Sequence, residues 1–347
     1  MDRVEFGSDF SFLPLLFKEA IEDNIGSYFP GSSLFFSGRS ALYSILLNGI
    51  AVHAWETLFI PEYYCHEVTD FIEDLNINVE YYKHAPYFSE FKPSENMCKK
   101  GNVILVVNIF GFNSVPIIEN SEAIIIEDHT HDLLSNFALN SRADFCFASL
   151  RKTIPIPCGG LAWSPVGNKI PELNVSHLGK LASYMKLTAM LLKSEYLSGA
   201  NVQKSDFRQI YEESEEIFCD HATCGGMPKL EKKFLDQISV GGLYRTKYRN
   251  LATLKEKIID KSIIYKESFD APGHYPLGLF LKFDTPGERA RMQKHLISNN
   301  VFPAVLWPNQ KTDEAKAFSD IILFLHCDVR YSQKDINSIA NIINLVQ

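Results

Sequence analysis

Short apolar runs alternate along the chain with longer stretches in which apolar residues recur at helical spacing. In residues 40–49 (SALYSILLNG) apolar side chains stand three and four apart, which predicts a helix. Residues 57–60 form an apolar run closed by Pro61, 68–75 again carry helical spacing, and 79–82 have strand character. Residues 103–107 and 123–126 are near-continuous apolar runs, the pattern of strands covered on both faces of a parallel sheet. Strand, helix and strand in repetition predict an α/β fold.

The texture changes near residue 227. Residues 228–261 predict one long charged helix, and 277–283 a strand followed by Asp284-Thr285-Pro286-Gly287-Glu288. There Thr285 suits a helix N-cap, Pro286 the first helical position, and Glu288 completes a capping box. Two further short strands are expected at 301–306 and 321–325. The last helix places Ile336, Ile339, Ala340 and Ile343 on one face. A large domain over residues 1–235 is therefore expected to precede a small C-terminal α/β domain over 236–347, with the long helix as the bridge.

Composition narrows the classes. Of 347 residues, 46% are apolar and 22% charged, the balance of an ordinary globular protein. The net charge of -8 argues against nucleic acid as a partner, since that binding needs a basic face to displace counterions. No run reaches the ~18 apolar residues of a membrane helix, and the first ten residues carry acids where a signal peptide has a basic stretch. Seven scattered cysteines, an odd number, do not make a disulfide frame, so the cytosol is the expected compartment. Cys219, His221 and Cys224 lack the second ligand pair of a structural zinc site, and no metal is expected.

Three segments hold candidate chemistry. In Ser149-Leu150-Arg151-Lys152, a hydroxyl and an amine leave a buried strand together. Gly159 and Gly160, seven and eight residues after the lysine, let backbone pass close to something bulky. In Ile124-Ile125-Ile126-Glu127-Asp128-His129-Thr130-His131, an apolar strand ends in acids, where ligands of parallel sheets gather. Asp128 either pairs with a protonated ring nitrogen or caps the next helix, and His131 is a ligand contact or a satisfied half-buried histidine. In Phe35-Phe36-Ser37-Gly38-Arg39-Ser40, a turn opening a helix offers backbone N–H groups, hydroxyls and a guanidinium to an anion, or simply an N-cap. Each string is weak alone. Their order, an anion cradle, then a carboxylate, then a lysine about 24 residues later, suggests pyridoxal phosphate.

Taken in order, SGRSAL, IPEYYCHEV, VVNIFGF, IIEDHTHDL, SLRKTIPIPCGG, VLWP and CDVRYS resemble the fold-type I pyridoxal-phosphate enzymes, and most of all the nucleotide-sugar aminotransferases of the DegT/StrS type. The similarity runs over nearly the whole chain after roughly residue 25. It implies a three-layer α/β/α large domain with a mainly parallel sheet, pyridoxal 5′-phosphate as cofactor, and a homodimer. Lys152 stands where the family's lysine carries the cofactor covalently. Asp128 stands at the carboxylate that keeps the pyridine nitrogen protonated, and His131 at the residue bordering the ring and its phenolic oxygen. Gly38, Arg39 and Ser40 match the phosphate-binding turn.

Three departures stand out. The family's phosphate-binding serine lies five residues before the lysine, where this chain has Phe147, and Ser149 is the nearer hydroxyl. The usual Gly-Thr of the turn is Gly38-Arg39. The position of the ring-stacking aromatic is held by Cys65, which leaves Tyr64 or His66 for that role. The family implies transfer of an amino group from a donor such as glutamate to a keto group of a nucleotide sugar, in polysaccharide biosynthesis. A related sugar dehydratase carries His at the lysine position, so Lys152 favours transamination. Arg151, Arg245, Arg249 and Arg330 are candidates for anionic substrate groups. Arg330 either binds a donor carboxylate or pairs with Asp328, and Trp307 either lines the cleft or is core. Residues 193–227 have no counterpart in the resemblance and are expected to form a loop toward a partner subunit. A same-fold aminotransferase with a non-sugar acceptor and a non-catalytic sensing relative are the competing readings.

Overall fold

The computed structural model describes residues 3–17, 21–88, 92–112, 118, 121–265 and 275–346. A two-residue strand, β1 (Phe6–Gly7), is followed by β2 (Ser33–Phe35), β3 (Thr57–Pro61), β4 (Asn78–Tyr82), β5 (Asn102–Val107), β6 (Ile124–Asp128), β7 (Phe145–Ser149) and β8 (Gly160–Trp163). Strands β2 to β8 form one seven-stranded sheet in the order β2-β8-β7-β6-β5-β3-β4. The run from β4 through β3, β5 and β6 to β7 is parallel, and β8 is antiparallel to both its neighbours.

Alternation along these strands feeds two cores. Leu58, Ile60, Val103, Leu105, Val107, Phe145 and Phe147 pack on one face with Leu42, Ile45 and Leu46 of the helix Gly38–His53. Cys146, Ala148, Leu161 and Trp163, with Phe59, Ile104 and Val106 in a separate cluster, face the other way. Both faces are covered, which is why the strands carry unbroken apolar runs. Parallel register also brings the carboxyl ends of β3, β5, β6 and β7 to one edge: Val107 stands beside Asp128, and Asp128 beside Phe147.

The C-terminal part pairs β9 (Leu279–Lys282) with β11 (Ile322–Leu325), antiparallel, over helices Val240–Lys257, Pro286–Ser298 and Gln333–Asn344. The expected capping box forms, with Glu288 N–H donating to Thr285 Oγ1 and Thr285 N–H to Glu288 Oε2, both at 3.2 Å. Ile336, Ile339, Ala340 and Ile343 are buried as one face. The strand expected at 301–306 is shorter, β10 (Val301–Phe302), and it pairs in parallel with β1.

Two expectations fail. The single long helix is two, Lys229–Asp236 and Val240–Lys257, because Ser239 turns to accept from Gly242 N–H and starts a new helix. Residues 193–227 are not a loop. They hold the end of helix His177–Leu197 and all of helix Lys204–Phe218, which bury Ala189, Met190, Phe207 and Tyr211 against each other. Polar residues dominate helix Lys204–Phe218, so its narrow apolar stripe is easily lost in the sequence.

Candidate active site

The aligned strand ends form the floor of a cavity of about 60 Å³. Its walls bring together Gly38, Arg39, Tyr64, Asp128, His131, Ser149, Arg151 and Lys152, with Cys65, Phe147 and Trp307 among the remaining lining residues. A second cavity of about 330 Å³ shares His131, Arg151 and Lys152 with the first. Lys152 is exposed at the junction, and its ammonium makes no ion pair or hydrogen bond to a described residue. The Trp307 ring lies beside it, with the centroid 5.7 Å from Nζ.

Asp128 ends β6 and is buried. Its Oδ1 accepts from Thr130 N–H at 2.9 Å and its Oδ2 from the Tyr64 hydroxyl at 2.7 Å. Burial, with the Asp128 charge beside it, holds the Tyr64 phenol well above its ordinary pKa, so it stays a donor. His131 is buried, with Nδ1 accepting from Phe110 N–H at 3.1 Å. Burial first, then the charges of Lys152 and Lys247, push its pKa well down. A neutral ring that accepts at Nδ1 carries its proton on Nε2, and that atom has no partner among the described residues. The Phe110 N–H is aimed by a left-handed backbone (φ 61°), a conformation costing on the order of 1–3 kcal/mol. Stacking on Phe280, 4.2 Å between centroids, helps hold it.

The anion cradle is a close crossing of two turns. A Cβ on Gly38 would stand 3.0 Å from Ser149 N and Cβ, and one on Gly160 would stand 2.1 Å from the Ser37 carbonyl oxygen. The bulky object that Gly160 admits is thus the chain's own turn at Ser37, while Gly159 makes room for the Ile156 and Met227 side chains. Ser37 caps the helix, accepting from Ser40 N–H at 3.1 Å. Ser40 is a correction: it is fully buried, its hydroxyl 3.0 Å from Ser37 Oγ, and it is not on the cavity wall. Arg39 reaches the wall but is drawn toward Glu67 (3.8 Å) and donates to Cys219 Sγ (3.5 Å). His66 also lies off the wall, its ring beside Tyr81.

The substrate-binding arginines divide. Arg151 lines both cavities and forms a bidentate pair with Glu215 at 2.5 and 2.9 Å, and Lys186 donates to the same carboxylate. Burial pushes the Glu215 carboxyl up, but Arg151 and Lys186 outweigh that and hold it well below its ordinary range. Arg330 lines neither cavity. Its guanidinium grips Asp328 at 2.8 and 2.7 Å and donates to the carbonyls of Gly7, Ser8 and Asp9 at 3.2, 2.8 and 3.1 Å. Of the two readings for Arg330, the geometry favours the pair with Asp328: Nε, Nη1 and one N–H of Nη2 are engaged there and on the carbonyls, away from both cavities. Arg245 pairs with Asp23 at 3.2 Å, away from both cavities.

Arg330 instead fastens a strap that the sequence did not reveal. Ser8, Asp9 and Phe10 wall the second cavity. They are held from the other side by Lys193, which donates to Ser8 Oγ at 2.8 Å and to Asp9 O at 2.5 Å, and by the Tyr211 hydroxyl on Phe10 O. A buried network, Glu127–His129–Asp132, flanks Asp128 in sequence. His129 bridges the two acids at 2.9 and 3.0 Å. Burial pulls its pKa down, but Asp132 and Glu127 outweigh burial and keep it protonated. The potential ligand atoms of Cys146, Glu127 and His129 lie within 4.8 Å of one another, whereas Cys219 and His221 turn to Arg39 and Asp74.

No family model and no curated protein sequence matches the chain. Solved structures do. A sugar aminotransferase from Streptococcus pneumoniae, Spr1654, in its pyridoxal-phosphate form, superposes with a TM-score of 0.58 at 13% identity, covering 92% of this chain and 87% of that one. PseC of Helicobacter pylori, an aminotransferase of pseudoaminic acid biosynthesis, gives 0.62 at 10% identity over 99% of both chains. DesI, solved with its TDP-sugar product, gives 0.55 at 12% identity, covering 90% and 80%. Over nearly its whole length, the chain has the fold-type I architecture of pyridoxal-phosphate aminotransferases.

Proposed function

We propose that the protein is a pyridoxal-phosphate-dependent aminotransferase that moves an amino group from a donor such as glutamate to a keto group of a nucleotide sugar. The observation that carries this reading is the meeting of Lys152, Asp128 and the unpaired His131 Nε2–H around one cavity at the strand ends. The donor set suits the cofactor chemically. Asp128 offers a buried carboxylate to a protonated pyridine nitrogen, and His131 Nε2–H a hydrogen bond to a phenolic oxygen. Gly38, Arg39 and Ser149 surround the place for a phosphate, and Lys152 is the unpaired amine. The similar structures, among them a pyridoxal-phosphate form and one with its TDP-sugar product, favour the same cofactor and acceptor class.

When bound, the cofactor supplies an electron sink for the pair left on the donor's α-carbon. Lys152 Nζ, open to both cavities, takes the proton from that carbon and would deliver it to the cofactor carbon beside the transferred nitrogen, and would run the same transfer in reverse on the acceptor. Asp128, held by Thr130 N–H and Tyr64, keeps its charge at a fixed point and stabilises positive charge on the ring nitrogen. His131, kept neutral, donates from Nε2 without adding a competing charge. The second cavity takes the substrate, its wall formed by the strap and the Arg151–Glu215–Lys186 cluster, whose net charge is positive and suits an anionic group. The same reading carries a homodimer, a cytoplasmic location and a role in polysaccharide biosynthesis. No helix among the described residues is long and apolar enough to cross a membrane.

The test is direct. The purified protein should absorb at roughly 410–430 nm, the range of a lysine-linked cofactor. Lys152→Ala should lose the band's covalent, borohydride-fixable part. A colourless protein that takes up no added pyridoxal phosphate would overturn the enzyme reading. Turnover of small keto acids but of no nucleotide keto sugar would overturn the acceptor class.

A further inference from the structure

We infer that Trp307, from the C-terminal part of the chain, is the aromatic that covers the cofactor ring, and that Tyr64 is instead the hydrogen-bond partner that orients Asp128. This rests on the proposed pyridoxal-phosphate site. A ring carried by Lys152 at one end and held by Asp128 at the other lies in the first cavity. Trp307 is on that cavity's wall, its centroid 5.7 Å from Lys152 Nζ. Its plane is within 25° of the His131 ring at 5.5 Å, and the Tyr64 ring meets it edge-on at 68° and 6.0 Å. Tyr64 cannot turn to stack without giving up its 2.7 Å bond to Asp128.

The backbone under Trp307 is fastened to the large sheet. The Tyr63 hydroxyl donates to Leu306 O at 2.5 Å, and Gln310 Nε2 donates to Tyr64 O at 3.1 Å and to Trp307 O at 3.3 Å. The indole itself is half-buried, and its N–H makes no hydrogen bond to a described residue. The first cavity measures about 60 Å³, whereas a cavity that holds benzene is about 150 Å³. A ring entering it would draw on the adjoining second cavity or on movement of the wall. Asp128, His131 and the Gly38–Ser149 crossing are fixed by hydrogen bonds and close backbone, whereas Lys152 and the indole, with no hydrogen bond to a described residue, are among the wall groups free to turn. The anchored backbone then returns the indole onto the ring face, where stacking contributes to retention.

Fluorescence reads this without turnover. The chain has three tryptophans, and Trp55 and Trp163 are buried elsewhere in the fold. Titrating pyridoxal 5′-phosphate into the full-length protein should quench emission. Trp307→Phe should keep the cofactor's visible band yet lose most of that quench. Trp307→Ala should release the cofactor about 2- to 10-fold more readily, the range expected for one lost aromatic contact. Quenching in Trp307→Phe equal to that of the native chain, or unchanged retention in Trp307→Ala, overturns the inference while leaving the cofactor site standing. A native chain that takes up no pyridoxal phosphate overturns both.

Discussion

The floor of the cleft and its strap are held by opposite means. Most of the floor's bonds come from neighbours close in sequence or on adjoining strand ends, the Tyr64 hydroxyl on Asp128 being the exception. Asp128 bonds Thr130 two residues on, Ser37 caps its own helix, and Ser149 N–H donates to Thr130 Oγ1 at 3.0 Å from the adjoining strand. The strap is fixed by residues far away in the chain, with Arg330 and Tyr331 on one side and Lys193 and Tyr211 on the other. A floor built from local order keeps its geometry as long as the sheet is intact. A strap built from distant contacts depends on each buried charge, so its failures should register as lost stability rather than as lost chemistry.

Lys152→Ala should give the largest effect, a loss of transamination on the order of 10⁴-fold or more with little change in melting temperature, checked by steady-state assay beside calorimetry. Arg330→Met strands Asp328, whose carboxyl the arginine holds down at about 2 against the pull of burial. Breaking such a buried pair costs about 3–5 kcal/mol. Hydrogen exchange should show the amides of residues 5–12 opening first. A raised KM for glutamate with unchanged stability would instead return Arg330 to the substrate. Asp128→Asn should lower kcat by roughly 10²–10³-fold, the loss expected when a preorganised charge is removed. A drop confined to melting temperature would place Asp128 with the strap's kind of residue.

Lys247 gives a smaller effect with a definite sign. Its ammonium is buried without a hydrogen-bond partner among the described residues, 4.2 Å from the Tyr244 ring, and burial lowers its pKa to about 8 from 10.5. Between those values the unfolded chain holds the proton and the folded chain does not, so stability should rise with pH through that window, by about 3 kcal/mol. Below pH 8 both states are protonated and the burial penalty is present in full. Lys247→Met should therefore be more stable than the native chain at pH 7 and lack the alkaline rise. Denaturant midpoints at pH 7 and pH 10 would check it, and parallel pH dependences in the two proteins would refute it.

Much of the floor was legible because its signals are local. The run Ile124-Ile125-Ile126 before Asp128 marks a strand end, and Gly159-Gly160 marks a close crossing. Ser40 shows the limit: a hydroxyl in a plausible motif faces Ser37, and only the helix phase decides that. The strap left no signal. Ser8, Asp9 and Phe10 are unremarkable in composition, and their partners stand more than 180 residues away. The same distance left Trp307 and Arg330 with two readings each.

The sequence by itself determined the α/β class, the strand ends and the order of lysine, carboxylate and glycine-lined turn, because periodicity and short-range stereochemistry act within a few residues. Tertiary structure alone decided which charges are free. Lys152 is unpaired, Arg330 is consumed by Asp328 and the strap, and Arg151 shares Glu215 with Lys186. Whether a buried ion meets a partner depends on residues brought together across the whole fold, and the penalty for leaving it alone is paid only after the chain has closed around it.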